Sequence, residues 1–164
     1  MSSSTVHSAL AFSAMLVLGG LAPAQDAARP ENYCFSVPYG ASIGGTDCFA
    51  KGAIMGWSGS VQVSMNDFTL VVSDALPGAK GMFLYGMEQQ RLPFGNGYLC
   101  IAPPVHRLPG LVTVPDDGIA TYPLDLSADA NAMFAAGTTW NFQFWYREER
   151  TFNLSDGLRV PFAR

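Results

Sequence analysis

Few side chains in this sequence are of the kind that perform chemistry. Past Ala24 there is a single histidine, His106, and it stands next to Arg107, whose charge opposes a neighbouring imidazolium. Nucleophilic hydrolysis needs a base beside a Ser or Cys. Ser58 sits in the Gly-rich turn GWSGS, which is not the G-x-S-x-G pattern. Glu148 and Glu149 are adjacent, so a continuing strand would send them to opposite faces and could not present a carboxylate pair. Asp125, Ser127, Asp129 and Asn131 follow the first four ligand positions of an EF-hand loop. The turn position holds Ala130 in place of Gly, and the closing position holds Ala136 in place of the bidentate Glu. Asp116 and Asp117 remain as loop carboxylates open to calcium. Neither a zinc pattern nor a cofactor motif is present, and the expectation is a non-enzymatic chain without catalytic, cofactor or metal residues.

Cys34, Cys48 and Cys100 are the remaining reactive groups. Cys34 and Cys48 are expected to pair, closing a Gly-rich loop of about 15 residues, for which chain entropy gives ~3 kcal/mol. Cys100, in the apolar run Tyr98 to Ala102, then reads as a buried small hydrophobe. Asn153-Leu154-Ser155 matches a glycosylation acceptor, but Ser155-Asp156-Gly157 reads as the turn entering a final strand.

Elements must position these groups, and the strongest signal for one is TTWNFQFWYREERTFNLSDGLRVPF, residues 138–162. Trp140, Phe142, Phe144 and Tyr146 alternate with Asn141, Gln143 and Trp145. A strand would send the first row inward, to pack with Leu158, Val160 and Phe162, and the second row outward. Upstream, Val61 to Met65 and Phe68 to Ser73 read as a hairpin turning at Asn66-Asp67. Further strands fall at Met82 to Tyr85, Tyr98 to Ala102, Val105 to Leu108, Leu111 to Val114 and Gly118 to Leu124. The turn PFGNG (93–97) separates two of them, and Pro103-Pro104, which cannot donate to a ladder, marks an edge or a crossing between sheets. Ser127 before an Ala-rich run and Gly137 after it predict one short helix near 128–136. The expected fold is all-β, an antiparallel β-sandwich or jelly roll.

Leu10 to Leu21 is apolar, too short to span a bilayer as a helix, and is followed by Ala22-Pro23-Ala24. Residues 1–24 therefore read as a signal peptide cut after Ala24, without the usual Lys or Arg ahead of the apolar run. Residues 25–59 read as an irregular, disulfide-stapled lead-in and 60–164 as the sandwich body, together one exported domain with no membrane span. Only 13% of residues are charged and the net charge is -4, which argues against nucleic acid and anionic membranes as partners.

Several phrases recur in a familiar order: DFTLVVSDALPG, FLYG, PFGNGYLCIAPPVHR, YPLDL, FWYRE and FNLSDGL, after Tyr33-Cys34. In this the chain resembles an uncharacterised domain common in exported planctomycete and myxobacterial proteins, over most of Tyr33 to Phe162. The resemblance implies a secreted β-rich fold and no catalytic residue. Related sequences commonly carry another Cys between the Pro-Pro strand and the YPLDL strand, a partner for the position of Cys100; here Leu111 to Tyr122 has none.

These readings converge on an exported β-sandwich domain serving adhesion, cell-envelope structure or contact with a protein partner. The alternative is a carbohydrate-binding module, since aromatic rings stack on sugars. Trp145, in the outward row, is the first choice for ligand contact, with Trp57 and Tyr98 beside it as candidates.

Overall fold

The computed structural model describes residues 28–35, 52–147 and 151–164. Eleven strands run through them: β1 (Glu31–Tyr33), β2 (Ile54–Ser58), β3 (Thr69–Ser73), β4 (Lys80–Gly86), β5 (Gln89–Phe94), β6 (Gly97–Ile101), β7 (His106–Arg107), β8 (Val112–Thr113), β9 (Ala120–Pro123), β10 (Thr139–Arg147) and β11 (Phe152–Pro161). The six-stranded sheet has the order β1-β11-β10-β4-β7, with β8 also paired to β4. A three-stranded sheet, β2-β3-β9, faces it, and β5-β6 form a separate two-stranded hairpin. All ladders between these strands are antiparallel. The all-β, sandwich-like expectation holds.

Alternation along β10 builds the core. Trp140, Phe142, Phe144 and Tyr146 are buried, and they join Leu158, Val160 and Phe162 of the C-terminal strand in one cluster with Met55, Phe68, Leu70 and Val72 from the facing sheet. The inward row read from the sequence is therefore the core row. The edge of the Phe144 ring also abuts Gly81, where an added Cβ would collide with it, so only glycine lets β4 and that ring approach so closely.

Three expected elements differ. The helix near 128–136 is replaced by a single 3-10 turn, Asp129–Asn131, followed by further tight turns. The Asn131 amide donates to the Asp125 carbonyl at 2.8 Å, which ties the segment down locally in place of a helical ladder. Phe134 is thereby swung into the core, with ring centroids 5.3 Å from both Tyr85 and Trp140 and 5.5 Å from Phe142. The hairpin expected over 61–73 does not form. Val61 and Val63 bond Ala163 near the C-terminus, Val63–Met65 makes a 3-10 turn, and β3 pairs instead with β9 and with β2, the latter in the segment read as irregular. The last difference lies in β11, which begins at Phe152, so Asn153 to Gly157 is strand and not turn. Asn153 is buried within it, which removes it as an accessible glycosylation acceptor.

The position of Phe134 makes a prediction. Truncation to Ala should cost about 3–5 kcal/mol, as for other buried aromatic rings, because the 3-10 turn exists to seat that ring. Urea unfolding measures it, and a loss below ~1 kcal/mol would mean the ring is not a core residue.

Candidate functional site

The second face of the six-stranded sheet is where the candidate contact residues meet the fold. Asn141 and Gln143, expected to face water, are buried. The β5-β6 hairpin lies over them, and their amides hold it there. Asn141 donates to the Met87 carbonyl at 2.8 Å and accepts from the Gln89 amide at 3.0 Å. Gln143 donates to the carbonyls of Tyr98 at 2.8 Å and Ser155 at 2.7 Å, and its oxygen accepts from the Cys100 N–H at 3.0 Å. An amide offers two donors and one acceptor group, and Gln143 uses each. The outward row is thus the seat of a third layer; the polar residues in it were legible as polar, but nothing local in the sequence shows that a hairpin from forty residues upstream would supply their partners.

That hairpin is also tied covalently. Cys34 bonds Cys100, with Cα atoms 5.9 Å apart and a sequence separation of 66. This corrects the expected Cys34–Cys48 pairing, and Cys100 is buried but not unpaired; Cys48 lies outside the described residues. Sequence proximity favoured the short loop, whereas the fold lays β1 along β11 and brings the hairpin to its end. The Tyr33 hydroxyl adds a hydrogen bond to the Cys100 carbonyl at 3.1 Å, over Gly157, where a Cβ would meet the Tyr33 ring at 2.4 Å. Burial first, and the negative charge of Asp156 second, push the Tyr33 phenol above its ordinary range, so it serves as a neutral donor.

Asp156 is the one buried carboxylate among the described residues, 2% exposed. It joins the two sheets: one oxygen accepts from the Met55 N–H at 2.7 Å, and the other from the Asn32 amide at 2.8 Å. Asn32 also donates to the Met55 carbonyl at 2.6 Å, and the Asp156 N–H bonds the Ala53 carbonyl at 3.2 Å. Burial raises its pKa, against the Met55 and Asn32 hydrogen bonds, which lower it.

The three ligand-contact candidates are not brought together. Trp57 stands on β2, across from Leu70 in the three-stranded sheet, and is 38% exposed. Tyr98 is on β6 with one ring face covered by the Arg91 guanidinium, 4.2 Å from its centroid. Trp145 is half-buried in a second, smaller cluster with Leu84, Ile101 and Leu154. Its ring lies 5.8 Å from that of Phe152, and Phe152 lies 5.0 Å from Phe94, which is 44% exposed at the hairpin tip. Trp145, Phe152 and Phe94 therefore form one surface row, with Leu92, 52% exposed, on the same strand as Phe94. Phe152 and Phe94 were missed as contact residues. The only local signal was an aromatic residue at two turn signatures, Phe94 within PFGNG and Phe152 at the head of FNLSDG.

The other sequence candidates have local structural tasks. Asp125 accepts from the Ser127 hydroxyl at 2.6 Å, the Ser127 N–H at 3.0 Å and the Asn66 amide at 3.0 Å, and these bonds hold its carboxyl below the usual range. Asp117 accepts from the Ile119 N–H at 2.9 Å within the turn before β9. His106 is on β7, exposed and stacked on Tyr85 with ring centroids 5.2 Å apart. Among the described residues no group of three or more His, Cys, Asp or Glu is placed to hold a metal ion, and no helix is long and apolar enough to cross a membrane.

Two predictions follow from the ties. Cys34→Ser or Cys100→Ser should lower non-reducing stability by about 4 kcal/mol, the chain-entropy value for so long a loop, while Cys48→Ser should leave it unchanged. The reverse ranking by thermal melting would restore the short loop. Asp156 gives a pH signature. Its folded pKa lies above an unfolded value of ~3.9, so the folded chain binds the proton more tightly between the two values. Its contribution is most favourable below ~pH 4 and declines as pH rises through the folded pKa. Stability of the native chain minus that of Asp156→Asn should therefore fall with rising pH across this window; a difference that climbs, or stays flat, contradicts the assignment.

No family model, curated protein or solved structure matches this chain.

Proposed function

We propose that the chain is an exported, non-enzymatic β-sandwich domain that makes contact with a partner at the cell surface, in adhesion or cell-envelope structure. The observation that carries the reading is the aromatic row Trp145 of β10, Phe152 of β11 and Phe94 of β5, continued by Leu92, at the surface where the sheet meets a hairpin anchored by a disulfide and buried amides. Phe94 and Leu92, the exposed end of the row, bury little of their own surface, and they are presented on a base that loses little freedom when a partner binds. The resemblance to exported planctomycete and myxobacterial domains supports the same reading. So do the Ala22-Pro23-Ala24 site after an apolar run and a disulfide of the kind that persists outside the cytosol. His106 faces Tyr85 across its ladder and stacks on its ring, and Leu84 lies opposite Arg107, so no Ser or Cys stands opposite this pair for the imidazole to activate.

A second reading is favoured by the rings themselves: three aromatic side chains in contact at a surface suit the apolar faces of sugars, which makes a carbohydrate-binding module the alternative. Trp145, the original candidate, remains in this row, whereas Trp57 and Tyr98 do not join it.

Both readings are tested by expressing the full chain with a C-terminal tag and recovering it from the exported fraction. The recovered protein should begin at Gln25. Leu92→Ser with Phe94→Ser, both exposed, should leave the melting temperature within a few degrees and abolish retention of whatever partner or glycan the native domain retains. Unchanged retention by the double variant would place the contact elsewhere.

A further inference from the structure

Strand alternation gives the aromatic row charged neighbours. Trp145 is opposite Met82 on one side and Leu154 on the other, and Arg147 is opposite Phe152. Tyr146 is opposite Gly81, so the next position sets Lys80 beside Arg147. Opposed residues of an antiparallel ladder share a face, and successive residues alternate. Lys80, Arg147 and Phe152 therefore make one cross-strand row on the hairpin side of the sheet, and Met82, Trp145 and Leu154 make the next. Lys80 and Arg147 are exposed, while Met82, Trp145 and Phe152 are half-exposed.

No Asp or Glu of β4 or β10 shares this face, and Asp156 of β11 is turned toward β2. Like charges directly opposed across a ladder are unfavourable, and here two cations adjoin in a chain whose net charge is -4. Among the described residues no carboxylate of these strands offsets that pairing, and an anion between the two cations would.

We propose that this strip binds an acidic polysaccharide, with Lys80 and Arg147 engaging carboxylate or sulfate groups while Trp145 and Phe152 stack on the sugar rings. The proposal rests on the carbohydrate reading above and adds a charge requirement to it. Arg suits such a role because its planar guanidinium meets a carboxylate through two parallel hydrogen bonds. An aromatic surface beside paired cations is matched in both parts by a charged sugar chain: a neutral glycan leaves the cations unused, and an acidic peptide offers the rings no repeated flat apolar face.

The test is electrophoresis of the full chain through native gels containing polygalacturonate, neutral β-1,4-galactan or poly-L-glutamate at low ionic strength. Retardation by polygalacturonate alone is expected, reduced about tenfold in affinity by Arg147→Gln and by Lys80→Gln and weakened by added salt. Trp145→Ala should also weaken it; because Trp145 is half-buried, the two exposed charge variants decide the outcome should that one unfold. Equal retardation by galactan that depends on Trp145 but not on Lys80 or Arg147 overturns the acidic-ligand proposal and keeps the carbohydrate reading. Equal retardation by poly-L-glutamate overturns it in favour of non-specific polyanion binding. If no polymer retards the chain, both the proposal and the carbohydrate reading fail.

Discussion

The six-stranded sheet is covered on both faces, and this constraint determines most of what surrounds it. On one face the solution is apolar: Phe142, Phe144 and Leu158 pack against Leu70 and Val72 of the second sheet. On the other face the strand carries Asn141 and Gln143, and burying amides without partners would cost about 1–3 kcal/mol for each unsatisfied group. The side-chain nitrogen and oxygen of both amides are instead partnered, mostly by groups of the β5-β6 hairpin and its flanks and in one bond by Ser155 of β11, and no buried side-chain nitrogen or oxygen among the described residues is left without a partner. The hairpin is consequently placed to within hydrogen-bond tolerance, and the aromatic residues at its tip are placed with it.

Asp156 performs the corresponding task between the sheets. A carboxylate is an expensive residue to bury, and a well-packed apolar side chain of similar size would serve stability as well. What it supplies is a fixed register: Met55 of β2 and Asn32 of β1 must both bring an N–H to the carboxylate of one residue of β11, and a slip of either strand would leave that buried carboxylate short of a partner.

The periodicity of β10 was fully legible, because alternation is written in one strand and needs no partner to be read. So were the turns at PFGNG and at Pro115 to Gly118, where glycines with φ of 61° and 74° stand at the expected positions. What was not legible is what depends on distant partners. Cys34 found Cys100 in place of nearby Cys48, β3 found β2, and the Ala-rich run gave up its helix to seat Phe134. The candidate site shows the same division. Trp145 was identifiable from its phase, and Arg147 two residues on shares that phase, but their neighbours Phe152, Phe94 and Lys80 come from three other strands.

The pairing of β1 with β11 also bears on when the fold can appear. Glu31 to Tyr33 register with Gly157 to Arg159, and Asn32 bonds Asp156 across 124 residues of sequence. During synthesis the sheet lacks β11, the strand that joins β1 to β10, until that strand has left the ribosome, and structures dominated by such distant pairings are slow to close. β1 therefore waits, without its place in the sheet, while nearly all the strands it will join are being made.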